Sequence, residues 1–261
     1  MLNKERERVL PVLARKNCIV TGGARGIGKA ITKRFLVEGA NVVFCDVKEE
    51  QGTETLKELS FLGNLHFIKA DITKEEAVKR LISSSVEIFE GNKIDILVNN
   101  AGTDEFTLFD EISLDSWNKM ISVNLTGTFL VSKEVSKVMK KQMQGVIINI
   151  SSSNGLRGEI EQAHYNAAKA GVILLTKTIA LELAKYNIRA NSVCPGYILT
   201  ELTRESGSSE ESIKEYIKKI PIGRYGTPED IAGVVSFLAS RDASFITGTE
   251  ILVDGGQLAQ E

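Results

Sequence analysis

The chain's 261 residues are 43% hydrophobic and 25% charged, enough apolar material for a sizeable core and not the composition of a disordered protein. A net charge of −2 gives no electrostatic reason to expect a nucleic acid or an anionic membrane as partner. No apolar run approaches the ~18–20 residues of a membrane span. The opening segment MLNKERERVLPVLARK, with Glu5 and Glu7 among its bases, reads as a surface helix or tail, not a secretory signal.

Short β-branched runs alternate with longer amphipathic ones. Strands are expected at residues 17–21, 41–46, 65–71, 94–100, 146–151, 188–195 and 250–254, most of them almost continuously apolar, as strands covered on both faces must be. Helical patterns occupy residues 26–38, 74–90, 114–141, 165–186 and 228–240. Gly39 follows the first as a C-terminal stop, and Thr227-Pro228-Glu229-Asp230 opens the last with a cap, a first-turn proline and two acids. The alternation implies an α/β fold with a doubly wound parallel sheet. One domain is expected over residues 16–261, behind a short extension at 1–15, with a polar stretch at 201–220. Cys18, Cys45 and Cys194 lack metal-ligand spacing and lie in or beside strands, so they read as free buried thiols in a reducing compartment, by default the cytoplasm.

The first strand runs into Thr21-Gly22-Gly23-Ala24-Arg25-Gly26-Ile27-Gly28, and a helix follows. Glycines here let the backbone turn sharply and approach a pyrophosphate held at the helix N-terminus. The second strand ends in Asp46, eighteen residues beyond Gly28. An acid there accepts hydrogen bonds from ribose hydroxyls and repels a 2′-phosphate, which argues for NAD over NADP; Arg25 in the glycine turn is the opposing signal.

The spacing Thr-Gly-x-x-x-Gly-x-Gly resembles the short-chain dehydrogenase/reductase family. Asn99-Asn100-Ala101-Gly102 after the fourth strand, Asp71 closing the third and Pro195-Gly196 closing the sixth are similar to further landmarks of that family, in the same order. The resemblance implies a Rossmann fold with strand order 3-2-1-4-5-6-7. It also implies a cofactor wall that takes in Gly22, Arg25, Gly26, Ile27, Gly28, Asp46, Asp71, Ile72, Asn99, Ala101, Gly102, Pro195, Gly196, Ile198 and Thr200, with Tyr165 and Lys169 at its reacting end.

Tyr165 and Lys169 stand four residues apart, adjacent on one helix face. A nearby cation and a positive nicotinamide ring favour the phenolate, which takes an alcohol's proton as hydride leaves; in reduction the phenol gives it back. In the family the substrate-polarising serine precedes the tyrosine by thirteen residues, which selects Ser152 over Ser151 and Ser153. Asn124 resembles the helix asparagine that holds a water on the proton path to the lysine. His66 reads as structural, His164 as turned about 100° from Tyr165, and Glu159 and Glu161 as solvated loop acids.

These readings describe an NAD(H)-dependent oxidoreductase interconverting a secondary alcohol and a ketone. The polar stretch at 201–220, taken as a lid, favours a small polar or polyol-like substrate. The alternatives are a 3-oxoacyl-carrier-protein reductase, with Lys137, Lys140 and Lys141 as a basic patch, a hydroxysteroid dehydrogenase, or a non-catalytic cofactor sensor. The resemblance also implies a homotetramer built through the two long helices.

Overall fold

The computed structural model describes residues 12–201 and 215–259. The reading of the first eleven residues and most of the lid expected at 201–220 fall outside them. Seven parallel strands form one sheet: β1 Asn17–Thr21, β2 Asn41–Asp46, β3 Leu65–Lys69, β4 Ile96–Asn99, β5 Gly145–Ile150, β6 Ile188–Pro195 and β7 Glu250–Val253. Their order is β3-β2-β1-β4-β5-β6-β7, as the resemblance implied. Among the described residues the helices are α1 Gly26–Val37, α2 Glu49–Leu59, α3 Glu75–Ile88, α4 Leu114–Ile121, α5 Gly127–Gln142, α6 Ala163–Leu183 and α7 Pro228–Ala239.

Alternation along each strand supplies two cores. Cys18 and Val20 of β1 point into a layer with Ile31 and Phe35 of α1 and Ile231, Val235 and Leu238 of α7. Ile19, between them, points to the opposite layer with Leu81 of α3, Val131, Val135 and Met139 of α5 and Leu183 of α6. Each such side chain taken fully from water contributes about 1.5–3 kcal/mol, and the two layers clamp the sheet. Cys18, Cys45 and Cys194 are buried and free. Leu13 is buried as well, and its N–H and that of Arg15 donate to Glu38 O and Gly39 O at 3.1 and 2.9 Å. The stretch just before β1 is thereby packed on the end of α1. No described helix is long and apolar enough to cross a membrane.

Three departures from the expected elements have physical causes. The strand expected over 65–71 ends at Lys69, because the Asp71 carboxylate turns the chain by accepting from Thr73 N and Oγ1 at 2.9 and 2.7 Å. Helix α2 was not anticipated: its sequence EEQGTETLKEL carries only two large apolar residues. It is held by burial of Leu59 and by Thr55 Oγ1, which donates to Ala24 O at 2.7 Å. The continuous helix expected over 114–141 is two helices separated by a π-helical turn, Ser122–Thr126. Such wide turns cluster at functional sites, and this one carries Asn124 against the loop after β4.

Candidate functional site

The sheet order reverses between β1 and β4, the position where open α/β sheets form a crevice at the carboxyl ends of their strands. A cavity of about 680 Å³ lies there. One end is built from backbone. Gly22 has φ +63°, and a Cβ on it would stand 2.7 Å from Ala101 Cα. A Cβ on Gly28 would stand 2.1 Å from Gly22 O, so the turn closes only with glycine at both positions. Asn100 Nδ2 donates to Thr21 O and Gly22 O at 3.1 and 3.0 Å and locks the turn to the end of β4. The first N–H groups of α1, unpaired within the helix, lie at the cavity wall with Gly26 and Ile27. A cradle that any Cβ would fill, beside a helix N-terminus, fits a pyrophosphate.

Asp46 lies on the same wall, its carboxylate accepting from Ala24 N at 3.3 Å and Lys48 N at 3.1 Å. Arg25, Ile72, Ala101, Gly102, Pro195, Gly196, Ile198 and Thr200 also line the cavity. Three residues assigned to the cofactor wall from the sequence do not. Gly28 is buried beneath the turn, and Asp71 is occupied with Thr73. Asn99 is buried, its amide donating to Ser132 Oγ and Asn149 Oδ1 at 2.9 and 2.8 Å. Its neighbour Asn100 faces the cavity instead, since successive strand residues point oppositely.

The other end is built from side chains. Tyr165 and Lys169 project from the first turns of α6, with Lys169 Nζ 5.5 Å from the Tyr165 ring centre. Lys169 is buried, and its Nζ donates to Ile150 O at 3.1 Å. Ser151 Oγ donates to Lys169 O at 2.8 Å and Ser153 Oγ to Asn154 Oδ1 at 3.4 Å, so both neighbours are committed elsewhere. Ser152 lies beside the Tyr165 side chain in the cavity wall, and its Oγ accepts from Asn154 N at 3.1 Å. Asn124 is buried: its amide donates to Thr103 O and Met120 O at 3.0 and 3.1 Å, and its Oδ1 accepts from Thr103 N at 3.3 Å. A Cβ on Gly102 would lie 2.8 Å from Asn124 Oδ1 and 3.5 Å from Lys169 Nζ, so this bare backbone separates the asparagine from the lysine.

The electrostatics depart from the expectation that Lys169 lowers the tyrosine's pKa. Burial pushes the Tyr165 phenol above its ordinary range, the negative charge of Asp104 adds to this, and the Ser152 hydroxyl offsets only part. Burial pulls Lys169 down to about 8 against the opposing charge of Asp104. In the protein alone, therefore, the phenol form is favoured.

Asp104 was not singled out from the sequence, and Asn154 and Gln162 entered only as members of the 154–164 loop, which the family resemblance implies is a substrate-specificity element. Gln162 Nε2 donates to Asp104 Oδ1 and Asn154 Nδ2 to Gln162 Oε1, both at 2.6 Å. Polar residues in the 154–164 loop were a signal for the last two; Asp104 had none beyond following Gly102 by two positions. Glu159 and Glu161, expected as solvated loop acids, reach the cavity wall, with Glu159 paired to Arg157 at 2.7 Å. Both histidines lie off the wall: His66 bonds Asn64 at 2.9 Å, and buried His164 accepts at Nδ1 from Tyr165 N at 3.1 Å. Tyr216, at the described end of the expected lid, stacks against Tyr197 with ring centres 4.6 Å apart and lines the cavity.

Known proteins resemble the chain over most of its length. Residues 22–257 match a family model described as enoyl-(acyl carrier protein) reductase. The chain is 42% identical over 245 residues to a 3-oxoacyl-[acyl-carrier-protein] reductase of Chlamydia pneumoniae, covering 94% of this chain and 97% of that protein. It is 41% identical over 242 residues to the reductase of the same name from Thermotoga maritima, covering 92% and 97%. Among solved structures, levodione reductase superposes with TM-score 0.92 at 32% identity, covering 95% of this chain and 99% of that one. The structure of gox2181 superposes with TM-score 0.91 at 36% identity, covering 95% and 97%. The chain belongs to the short-chain dehydrogenase/reductase family and is an oxidoreductase that acts on CH–OH and keto groups with a nicotinamide cofactor.

Proposed function

We propose that the protein reduces 3-oxoacyl groups carried as thioesters on an acyl carrier protein, with NADH as donor. The observation that carries the reading is the constellation of Ser152, Tyr165 and Lys169 at one end of a cavity whose other end is a phosphate cradle. The relatives' names favour the acyl-carrier reading over the small polyol substrate expected from the sequence. That expectation rested on the polarity of 201–220, whereas the described walls present Phe106, Ile160, Tyr197 and Tyr216. An acyl chain has apolar surface for such walls to cover; a polyol has little.

In this mechanism Ser152 and Tyr165 hold the ketone oxygen between two hydroxyls. The Tyr165 phenol gives its proton to that oxygen as the carbon is reduced. Lys169, at hydrogen-bond distance from Ile150 O, holds positive charge beside the tyrosine, and Asn124 fixes the loop that carries Gly102. When bound, a nicotinamide would supply or accept the hydride and, when oxidised, would add positive charge at this end. Gly22, Gly26 and Ile27 would hold its pyrophosphate, and Asp46 its adenosine ribose. Asp46 supports NAD over NADP, because a 2′-phosphate there would meet a carboxylate; Arg25 and Lys48 on the same wall soften that preference.

The test follows nicotinamide absorbance with acetoacetyl-coenzyme A and a 3-oxoacyl carrier protein, against polyols and steroids, with NADH and NADPH. The thioesters are expected to give the highest kcat/KM, with NADH preferred. A polyol or steroid as best substrate overturns the reading. Assembly as a homotetramer belongs to the same proposal: Phe129 on α5 and Leu174 and Leu181 on α6 are exposed at 44%, 67% and 82%. Sedimentation giving a monomer would remove it.

A further inference from the structure

Asp104 is a carboxylate in the wall of the reacting end that the mechanism above does not use. It is half-buried, and among the described residues it forms no ion pair. Sequestering a carboxylate without a cation partner is costly, and such groups gather at functional sites. Its neighbours show what it does. A carboxylate can only accept, so it turns the Gln162 amide to present Nε2. The Gln162 oxygen then faces Asn154 Nδ2, and the Asn154 backbone N–H donates to Ser152 Oγ. One charge thus fixes the orientation of two side-chain amides and anchors Asn154, whose backbone N–H caps Ser152 Oγ at the start of the turn 153–155.

We propose that Asp104 is a positioning residue of this site, orienting Ser152 through Gln162 and Asn154, and that its charge, set in the same wall as Tyr165 and Lys169, acts on both. The negative charge of Asp104 raises Tyr165 and opposes the loss of the ammonium at Lys169. The other ionisable groups around the tyrosine are Lys169 one turn along α6, buried His164 just before it, Glu159 and Glu161 in the preceding loop, Lys119 on α4, and Tyr216. Glu159 is neutralised by Arg157, and Glu161 is exposed. Asp104 is the acid that acts on Tyr165 from a partly buried position. The consequence is directional in pH: ketone reduction, which consumes the phenol, persists to higher pH, and alcohol oxidation, which needs the phenolate, is displaced to more alkaline pH.

The charge of Asp104 is tested on the tyrosine without any acyl substrate, and the orientation of Ser152 by turnover of the substrate proposed above. Tyrosinate absorbance is titrated in the NAD-saturated protein, with the Tyr165→Phe spectrum subtracted to isolate this residue. Asp104→Asn keeps an oxygen to accept from Gln162 and removes the charge; its midpoint is expected about one pH unit below wild type. Gln162→Leu keeps the charge and cuts the chain to Ser152, so its midpoint is expected at or above wild type. With acetoacetyl-coenzyme A, Gln162→Leu is further expected to lower kcat by roughly tenfold or more, with NADH affinity unchanged. An unmoved midpoint in Asp104→Asn, or a fall in Gln162→Leu equal to it, overturns the charge-setting role; wild-type kcat in Gln162→Leu overturns the orienting role. If wild type fails to turn over the thioester, the proposed substrate fails while the titration still decides Asp104.

Discussion

The two ends of the cavity solve different problems with different materials. At the phosphate end the groups that matter are main-chain N–H groups, brought close by Gly22 at positive φ and by Gly28 under the carbonyl of Gly22. At the reacting end they are side chains from four separate segments: Asp104 after β4, Asn124 in the π turn, Ser152 and Asn154 after β5, and Gln162, Tyr165 and Lys169 around the start of α6. A backbone site tolerates little substitution and needs few partners. A side-chain site can be retuned at single positions, and its electrostatics belong to the group, as the effect of Asp104 on Tyr165 and Lys169 shows.

The largest separation of the two ends should come from Tyr165→Phe. The ring stays and the proton donor goes, so turnover is expected to fall by ~10²–10⁴ while NADH binding, measured by fluorescence, is retained. Parallel loss of cofactor affinity would mean that the ends are not independent. Asp46→Ala acts at the opposite end. A repulsion of ~2–3 kcal/mol toward a 2′-phosphate corresponds to a roughly 30- to 150-fold preference for NAD. The variant should collapse that ratio of kcat/KM without moving the pH profile set at the reacting end. A wild type that prefers NADP would show instead that Arg25 and Lys48 dominate the wall.

Lys169→Met probes what the reacting end costs the fold. The native lysine titrates at about 8, below the ordinary value near 10.4. The unfolded chain therefore binds more protons between those two values, and wild-type stability rises with pH across that window; below about 8 the penalty is fully present. The variant is expected to be more stable than wild type in urea at pH 7, by about 1–3 kcal/mol, and inactive. The gap should narrow at pH 10, and equal stability at both pH values would show that the ammonium is not penalised. The smallest effect belongs to neither end. Thr227 caps α7, accepting from Asp230 N at 3.4 Å while the Asp230 carboxylate accepts from Thr227 N at 2.7 Å. Thr227→Ala should cost ~1 kcal/mol in thermal unfolding, with kcat/KM unchanged.

The order of elements, the glycine turn and the pairing of Tyr165 with Lys169 were legible in the chain, because each is written locally. Apolar periodicity marks strands and helices, glycine spacing marks a turn that no Cβ permits, and residues four apart share a helix face. Helix α2 was not, since it is held by Leu59 and a threonine bonded across to Ala24 rather than by an apolar stripe of its own. Nor was the choice of Asn100 over Asn99 for the cavity, which depends on the pleat of β4. The chain of Asp104, Gln162, Asn154 and Ser152 spans nearly sixty residues of sequence within two 2.6 Å contacts. No local pattern encodes it. Local geometry follows from neighbouring residues, but the ionisation of a buried phenol follows from everything packed around it, and only the folded chain brings those charges together.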